Sequence, residues 1–265
     1  MVAFAANSLL CRAALRQTEI DAATFTLIRL VSGALTLCLL VRGRRAIVNG
    51  NWLSALALFV YAGAFSLAYL TLTAGTGALL LFGAVQATMI MAGLWAGERL
   101  RLWQGLGLAL ALGGLVILLL PGLAAPPLGG AMLMLSAGVA WGIYSLRGRG
   151  VKDPTGATAG NFLRAAPLGL LLYLLSQGGL PYDAGALYAV ASGALASGLG
   201  YAVWYTALRD LSATRAATVQ LSVPVIAGVG GIVLLGEPLT WRLLLASATI
   251  LGGIALVVYG KQRAV

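Results

Sequence analysis

The sequence predicts an all-α polytopic membrane protein of ten transmembrane helices, arranged as two inverted five-helix repeats, and three observations carry that reading. First, 60% of the residues are hydrophobic, only 9% are charged and the mean hydropathy is +0.96, whereas a water-soluble domain carries about 25% charged residues. Second, the apolar runs have the length of a bilayer crossing, roughly 20 residues for ~30 Å of hydrocarbon. Third, the second half of the chain repeats the first at a nearly constant offset. Glycine is abundant as well, 36 of 265 residues, as where membrane helices approach one another through small side chains.

In chain order the apolar segments fall at 1–15, 22–41, 52–73, 76–97, 103–120, 129–147, 156–176, 185–208, 214–236 and 241–260. The opening MVAFAANSLLCRAAL would make about 22 Å of helix, which is short for a crossing. It also lacks the basic start and small-residue cleavage site of a signal peptide, so it reads as a first span cut short at its start. The second segment, ATFTLIRLVSGALTLCLLV over 23–41, is interrupted by Arg29, a side chain that stays protonated in a protein. Connections RGRRAIVNGN (42–51), PGLAAPPL (121–128) and RGRGVKDPTG (147–156) carry the turn and breaker residues that separate neighbouring spans.

The fifth and tenth segments expose the repeat. GERLRLWQGLGLALALGGLVIL begins at Gly97 and GEPLTWRLLLASATILGGIALV at Gly236, an offset of 139, with Gly-Glu and Gly-Gly in register. Nearer the amino terminus the offset is 135, where Arg12 aligns with Arg147 and Arg29 with Arg164. Five spans separate each pair of twins, and an odd number of crossings inserts the two halves, 1–125 and 126–265, with opposite orientation. With a cytoplasmic amino terminus the inner loops and tail hold Arg42, Arg44, Arg45, Arg99, Arg101, Arg147, Arg149, Lys152, Arg209, Arg215, Lys261 and Arg263. The outer side keeps Arg12, Arg16 and Arg242. Twelve against three is a positive-inside bias that puts both termini in the cytoplasm. The net charge of +10 therefore reports orientation in a bacterial-type inner membrane and not nucleic-acid binding.

Ten spans as five plus five, Gly-Glu-Pro-Leu closing the ninth, and AWGIYSL at 140–146 in the sixth resemble the EamA-type members of the drug/metabolite transporter superfamily across essentially the whole chain. Two departures touch the interior. The first span has Ala6-Asn7 where its twin has Trp141-Gly142, and the fourth has FGAVQATM where a proline is common, while its partner keeps Pro224 in QLSVPV. The resemblance implies export or uptake of amino acids and other small metabolites through a central cavity opened alternately to each side.

Several residues are candidates for solute contact. Arg29 lies seven residues into its span, about 10 Å from the outer end, and Arg164 lies about as deep from the inner side. Each either snorkels to the headgroups, faces a water-filled interior, or holds carbonyls at a broken helix. Tyr61, Phe65 and Tyr69 form one helical stripe and map at an offset of 136 onto Ser197, Tyr201 and Tyr205, with Trp204 one turn from Tyr201. Such stripes serve packing or an interfacial belt as readily as a cavity; Tyr69, Tyr201 and Trp204 are the deeper ones, and Trp141 and Tyr144 share a face of the sixth span. The amides Asn7, Gln86, Asn161 and Gln220 sit in apolar runs, where an unpaired amide is costly. They bond between helices or touch a polar solute. Pro224 removes a mid-helix donor and frees a carbonyl. Glu98 and Glu237 read as structural carboxylates at helix amino termini.

All acids lie in loops or at span ends, so nothing matches the membrane-embedded Glu of the small multidrug-resistance proteins. There is no His, the usual neutral-pH proton carrier. Cys11 and Cys38, both in apolar segments, suggest neither a disulfide nor a metal site. No cofactor is implied, and no catalytic constellation supports an enzyme. The leading reading is a secondary carrier that exports small zwitterionic or anionic metabolites, amino acids foremost, by alternating access. The second is an efflux pump for lipophilic cations or drugs, and the third a non-transporting membrane subunit. The partners are the small-molecule substrate and the lipid bilayer; monomer and homodimer both stay open. A topology reporter fused in loop 42–51 or 147–155 is expected to score cytoplasmic and one in 121–128 external; the same side for 42–51 and 121–128 would defeat the inverted arrangement.

Overall fold

A computed structural model describes residues 1–41, 49–97, 102–120, 125–176, 179, 184–207 and 219–262. Ten helices occur among them: α1 Val2–Gln17, α2 Ala22–Leu40, α3 Trp52–Tyr69, α4 Ala74–Trp95, α5 Leu102–Leu119, α6 Leu128–Gly148, α7 Pro154–Ser176, α8 Ala184–Ala207, α9 Ser222–Leu235 and α10 Trp241–Gln262. Helices α2 to α8 and α10 are long and apolar enough to cross a membrane, eight in all. The remaining two are shorter, 16 residues in α1 and 14 in α9. The chain is thus a polytopic membrane protein with eight full-length candidate spans where the sequence predicts ten.

Polar residues start the helices where the apolar runs begin. Asp21 Oδ1 accepts the N–H groups of Ala23 and Thr24, Asn51 Oδ1 that of Ser54, and Thr73 Oγ1 that of Thr76, filling donors left unpaired in a first helical turn. Pro224 falls in the first turn of α9. The sequence places it mid-helix; in the structure it is the third residue of α9, after a turn at Leu221 that follows helical Val219 and Gln220.

Several helix pairs bring the first half of the chain against the second. Helices α5 and α10, which carry the twin Gly-Gly motifs, lie against each other, and a Cβ added to Gly107 would meet the Gly253 carbonyl at 2.5 Å, as one added to Gly253 would meet the Gly107 carbonyl. Likewise α2 packs on α7 and α4 on α9, while α6 packs on α3 and α4 as α1 packs on α8 and α9. Large apolar side chains such as Leu39, Trp95, Leu174 and Val233 are exposed on the outside, as a hydrocarbon solvent permits. The interior instead holds large side chains that include Arg29, Tyr201, Phe65 and Phe162.

The glycine contact makes a paired prediction. Gly253→Ala is expected to force α5 and α10 apart and destabilise by about 1–3 kcal/mol. Gly252→Ala, with nothing within 4 Å of the added carbon, is expected to stabilise by up to about 1 kcal/mol through helix propensity. Thermal unfolding in detergent measures both, and shifts of the same sign would refute the contact.

Candidate functional site

Arg29 is the eighth residue of α2, and its side chain is 1% exposed, so it does not reach the headgroups. Its Nε donates to Ser197 Oγ at 3.2 Å and its Nη2 to the Tyr61 hydroxyl at 3.0 Å. Its Cζ lies 5.0 Å from the ring centroids of both Tyr61 and Phe65. Its Nη1 is buried with no hydrogen-bond partner. Among the described residues no carboxylate pairs with it; the buried acid is Glu237, already bonded to Arg12. Removing a guanidinium from water costs several kcal/mol. Two ring faces, each worth about 2 kcal/mol when desolvated, and two neutral acceptors offset part of that. The site remains short of negative charge.

The partners come from elements far apart in the chain. The Tyr61 hydroxyl also accepts from Asn7 Nδ2 at 3.3 Å, and Asn7 Oδ1 accepts from Ser192 Oγ at 2.6 Å. Ser192 and Ser197 both lie in a π-helical stretch of α8, Ser192–Leu199. Residues five apart diverge by about 140° around an α-helix, but i to i+5 pairing brings them onto one face of a π-helix. That geometry lets two serines of one helix serve Asn7 and Arg29 together. The stretch also abuts α2 directly, since a Cβ on Gly193 would overlap Ser32 Oγ and the Arg29 carbonyl.

An aromatic cluster closes around this network. Trp141 lies 4.9 Å from both Tyr61 and Tyr201 and stacks on Tyr144 at 5.5 Å. Phe4 meets Trp141, Tyr201 and Trp204 edge-on at 6.1, 5.7 and 5.8 Å. The Tyr201 hydroxyl is buried without a hydrogen-bond partner. Gln86 is likewise buried, its Nε2 unpaired. Of the sequence candidates, Asn7, Arg29, Trp141, Tyr144, Tyr201 and Trp204 meet here.

Asn161 and Tyr69 border this cluster, against Tyr144 and Phe65, and the other candidates lie elsewhere. Helix α3 runs from Trp52 to Tyr69, and a polar knot sits at each of its ends. At the Asn51 end, Asn161 Oδ1 accepts from Asn51 N at 2.9 Å and its Nδ2 donates to the Tyr144 hydroxyl at 3.4 Å. There Arg164 Nη1 donates to the carbonyls of Asn49 and Gly160, both at 2.8 Å, the carbonyl-holding arrangement among its sequence alternatives. A small cleft of about 30 Å³, lined by Ser54, Tyr144, Arg147 and Asn161 among others, opens at this end. At the other end, the Tyr69 hydroxyl donates to the Ala74 carbonyl at 3.3 Å. Gln220 is buried just before α9. Glu237 serves a helix amino terminus, as expected, but that of α4 and not its own α10: its Oε2 accepts from Ala74 N at 2.8 Å. Glu98 and most of the loop arginines counted for orientation lie outside the described residues.

Sequence reasoning passed over Tyr61, Phe65, Ser192 and Ser197 as site residues. The first two were visible in the i, i+4 stripe, and Ser197 as its twin position. Ser192 had no signal, because nothing in SGALASGL announces π-helical pairing.

Comparison with known proteins agrees with this architecture. A model described as the EamA-like transporter family matches residues 128–259. An uncharacterized protein of Pseudomonas aeruginosa is 61% identical over 261 residues, covering 97% of this chain and 91% of that one. An uncharacterized transporter of Archaeoglobus fulgidus is 28% identical over 77% of this chain and 76% of its own. A probable amino-acid metabolite efflux pump of Salmonella typhimurium is 28% identical over 71% of this chain and 68% of its own. A protein crystal structure, 20% identical, shares the fold with a TM-score of 0.69 over 99% of this chain and 97% of that one. A ten-helix apolar bundle with this similarity has one assignment: the chain belongs to the EamA-like transporter family, within the drug/metabolite transporter superfamily.

Proposed function

We propose that the protein is a secondary carrier that moves small zwitterionic or anionic metabolites, amino acids foremost, across the inner membrane by alternating access, working as an exporter. The observation that carries this reading is Arg29: a fully buried, permanently charged side chain with an unused donor, ring faces and hydroxyls around it, and no acid pairing with it among the described residues. A solute carboxylate supplies what the site lacks. In a water-excluded interior such a charge-assisted bond is short and strong, and the unpaired Tyr201 hydroxyl is a second donor within reach of the same anion. The aromatic faces of Trp141, Tyr61 and Tyr201 suit an ammonium group or an apolar side chain.

Alternating access is supported by the reciprocal packing of the two halves, in which α2 meets α7, α4 meets α9 and α5 meets α10, each pair being twins in the internal repeat. Export of amino acids is favoured by the likeness to the Salmonella typhimurium protein, a probable amino-acid metabolite efflux pump. A lipophilic-cation pump has less support, since among the described residues the buried acid is already engaged by Arg12. For Arg164 the geometry gives no support to direct charge pairing with a solute, since its Nη1 is held by two backbone carbonyls.

Counterflow in proteoliposomes with a panel of amino acids and their decarboxylated amines tests the reading. Arg29→Gln is expected to lower transport of the carboxylate-bearing solutes about ten- to hundredfold, as for loss of a hydrogen-bonded charge partner, while Arg164→Gln acts mainly on thermal stability. Unchanged carboxylate transport in a well-folded Arg29→Gln variant, or equal transport of the amines, would reject the anionic-solute assignment.

A further inference from the structure

One end of the bundle holds a buried ion pair that solute binding does not use. Arg12 Nε lies 3.1 Å from Glu237 Oε1, with side chains 13% and 3% exposed. Glu237 Oε2 takes the N–H of Ala74, the first residue of α4, and Arg12 Nη1 donates to the carbonyls of Tyr69 at 2.8 Å and Leu70 at 3.2 Å, where α3 ends. Each charge thus rests on a helix end of opposite partial charge. The carboxylate is delivered by a chain reversal at Gly236, whose φ of 62° is left-handed and whose N–H, with that of Glu237, reaches the Gly231 carbonyl. The fit is tight, since a Cβ on Gly231 would overlap Glu237 Oε2.

The position of this pair matters more than its strength. It joins α1 and the α3–α4 turn, from the first half of the chain, to the α9–α10 turn of the second. Cys11, adjacent to Arg12 in α1, is 0% exposed. At the opposite end the twin arginine, Arg147, donates to neutral partners, Ser54 Oγ and Asn51 Oδ1, both at 3.0 Å. One end of α3 thus carries an arginine paired with a carboxylate, and the other an arginine on uncharged acceptors.

We propose that Arg12 and Glu237 form the latch of a gate at the Tyr69 end: the end is sealed while Glu237 bridges Arg12 and the α4 amino terminus, and it opens toward Arg29 when the pair parts. The proposal rests on the alternating-access reading but not on the charge of the solute. Cys11 is a built-in reporter once Cys38→Ser removes the other thiol. Membrane-impermeant maleimide is applied separately to each face of vesicles containing the Cys38→Ser protein, alone or with Glu237→Gln or Arg12→Gln/Glu237→Gln. The double variant leaves no unpaired buried charge to threaten folding, and its new amide oxygen can still accept from Ala74. Labelling of Cys11 is expected to be slow in the parent and about tenfold or more faster in both variants, only from the face that carries the 70–73 turn. An unchanged rate in the monodisperse double variant, or an equal rise from both faces, would overturn the latch. Solute counterflow on the same vesicles separates the two readings: faster labelling with no transport of any solute by the parent condemns the carrier, and robust transport with unchanged labelling condemns the latch alone.

Discussion

The guanidinium of Arg29 is the constraint around which the interior is organised. It cannot shed its proton, it is out of water, and the side chains around it supply only hydroxyls and ring faces. Had a carboxylate been placed beside it, the pair would be self-sufficient and an entering anion would have to break it. Neutral partners compensate less, and they can be exchanged for a stronger one at modest cost. That energetic profile suits the proposed solute site, one occupied and vacated in turn, and the surrounding structure is shaped to it. The π-helical stretch of α8 turns two serines to one face, Asn7 ties α1 to Tyr61, and Gly193 lets the α8 backbone come up against α2.

Helix ends do the complementary work. The polar knots at the two ends of α3 use arginine on backbone carbonyls, asparagine as both cap and bridge, and a carboxylate on a helix amino terminus, Glu237 at one end and Asp153 at the other. Between them the packing is by glycines and rings, crossed by the Arg29–Ser197 and Asn7–Ser192 hydrogen bonds. Polar contacts between the two halves of the chain therefore occur at both ends of α3 and between those ends. An ion pair joins the halves at one end, and arginines bond to uncharged acceptors at the other.

Much of this was legible in the chain. The ten apolar segments coincide with ten helices, although α1 and α9 are short, and the caps at Asp21, Asn51 and Thr73 follow from residue type alone. The twin Gly-Gly motifs at 113–114 and 252–253 identified two helices that indeed pack on each other. Arg29 stood out because a charge in an apolar run has few uses. Its twin Arg164 was equally conspicuous by sequence yet lies on backbone carbonyls, and Pro224, read as a mid-helix break, is the third residue of α9. Both cases turned on where a helix starts and what lies across from it, which a single segment does not encode.

The sequence by itself determined the solvent, the number and approximate bounds of the helices, and the presence of a permanent charge inside one of them. Those features depend on hydropathy, period and capping, all of which act within some twenty residues. The tertiary structure alone decided that Arg29 meets Tyr61, Phe65 and Ser197 without an acid, that Ser192 reaches Asn7, and that Glu237 caps α4 while holding Arg12. Each of these contacts except those within the first 65 residues joins side chains more than a hundred positions apart. Their geometry is set by how closely glycine-faced helices pack and by one stretch of π-helical pairing, and neither leaves a periodic trace in the residues concerned.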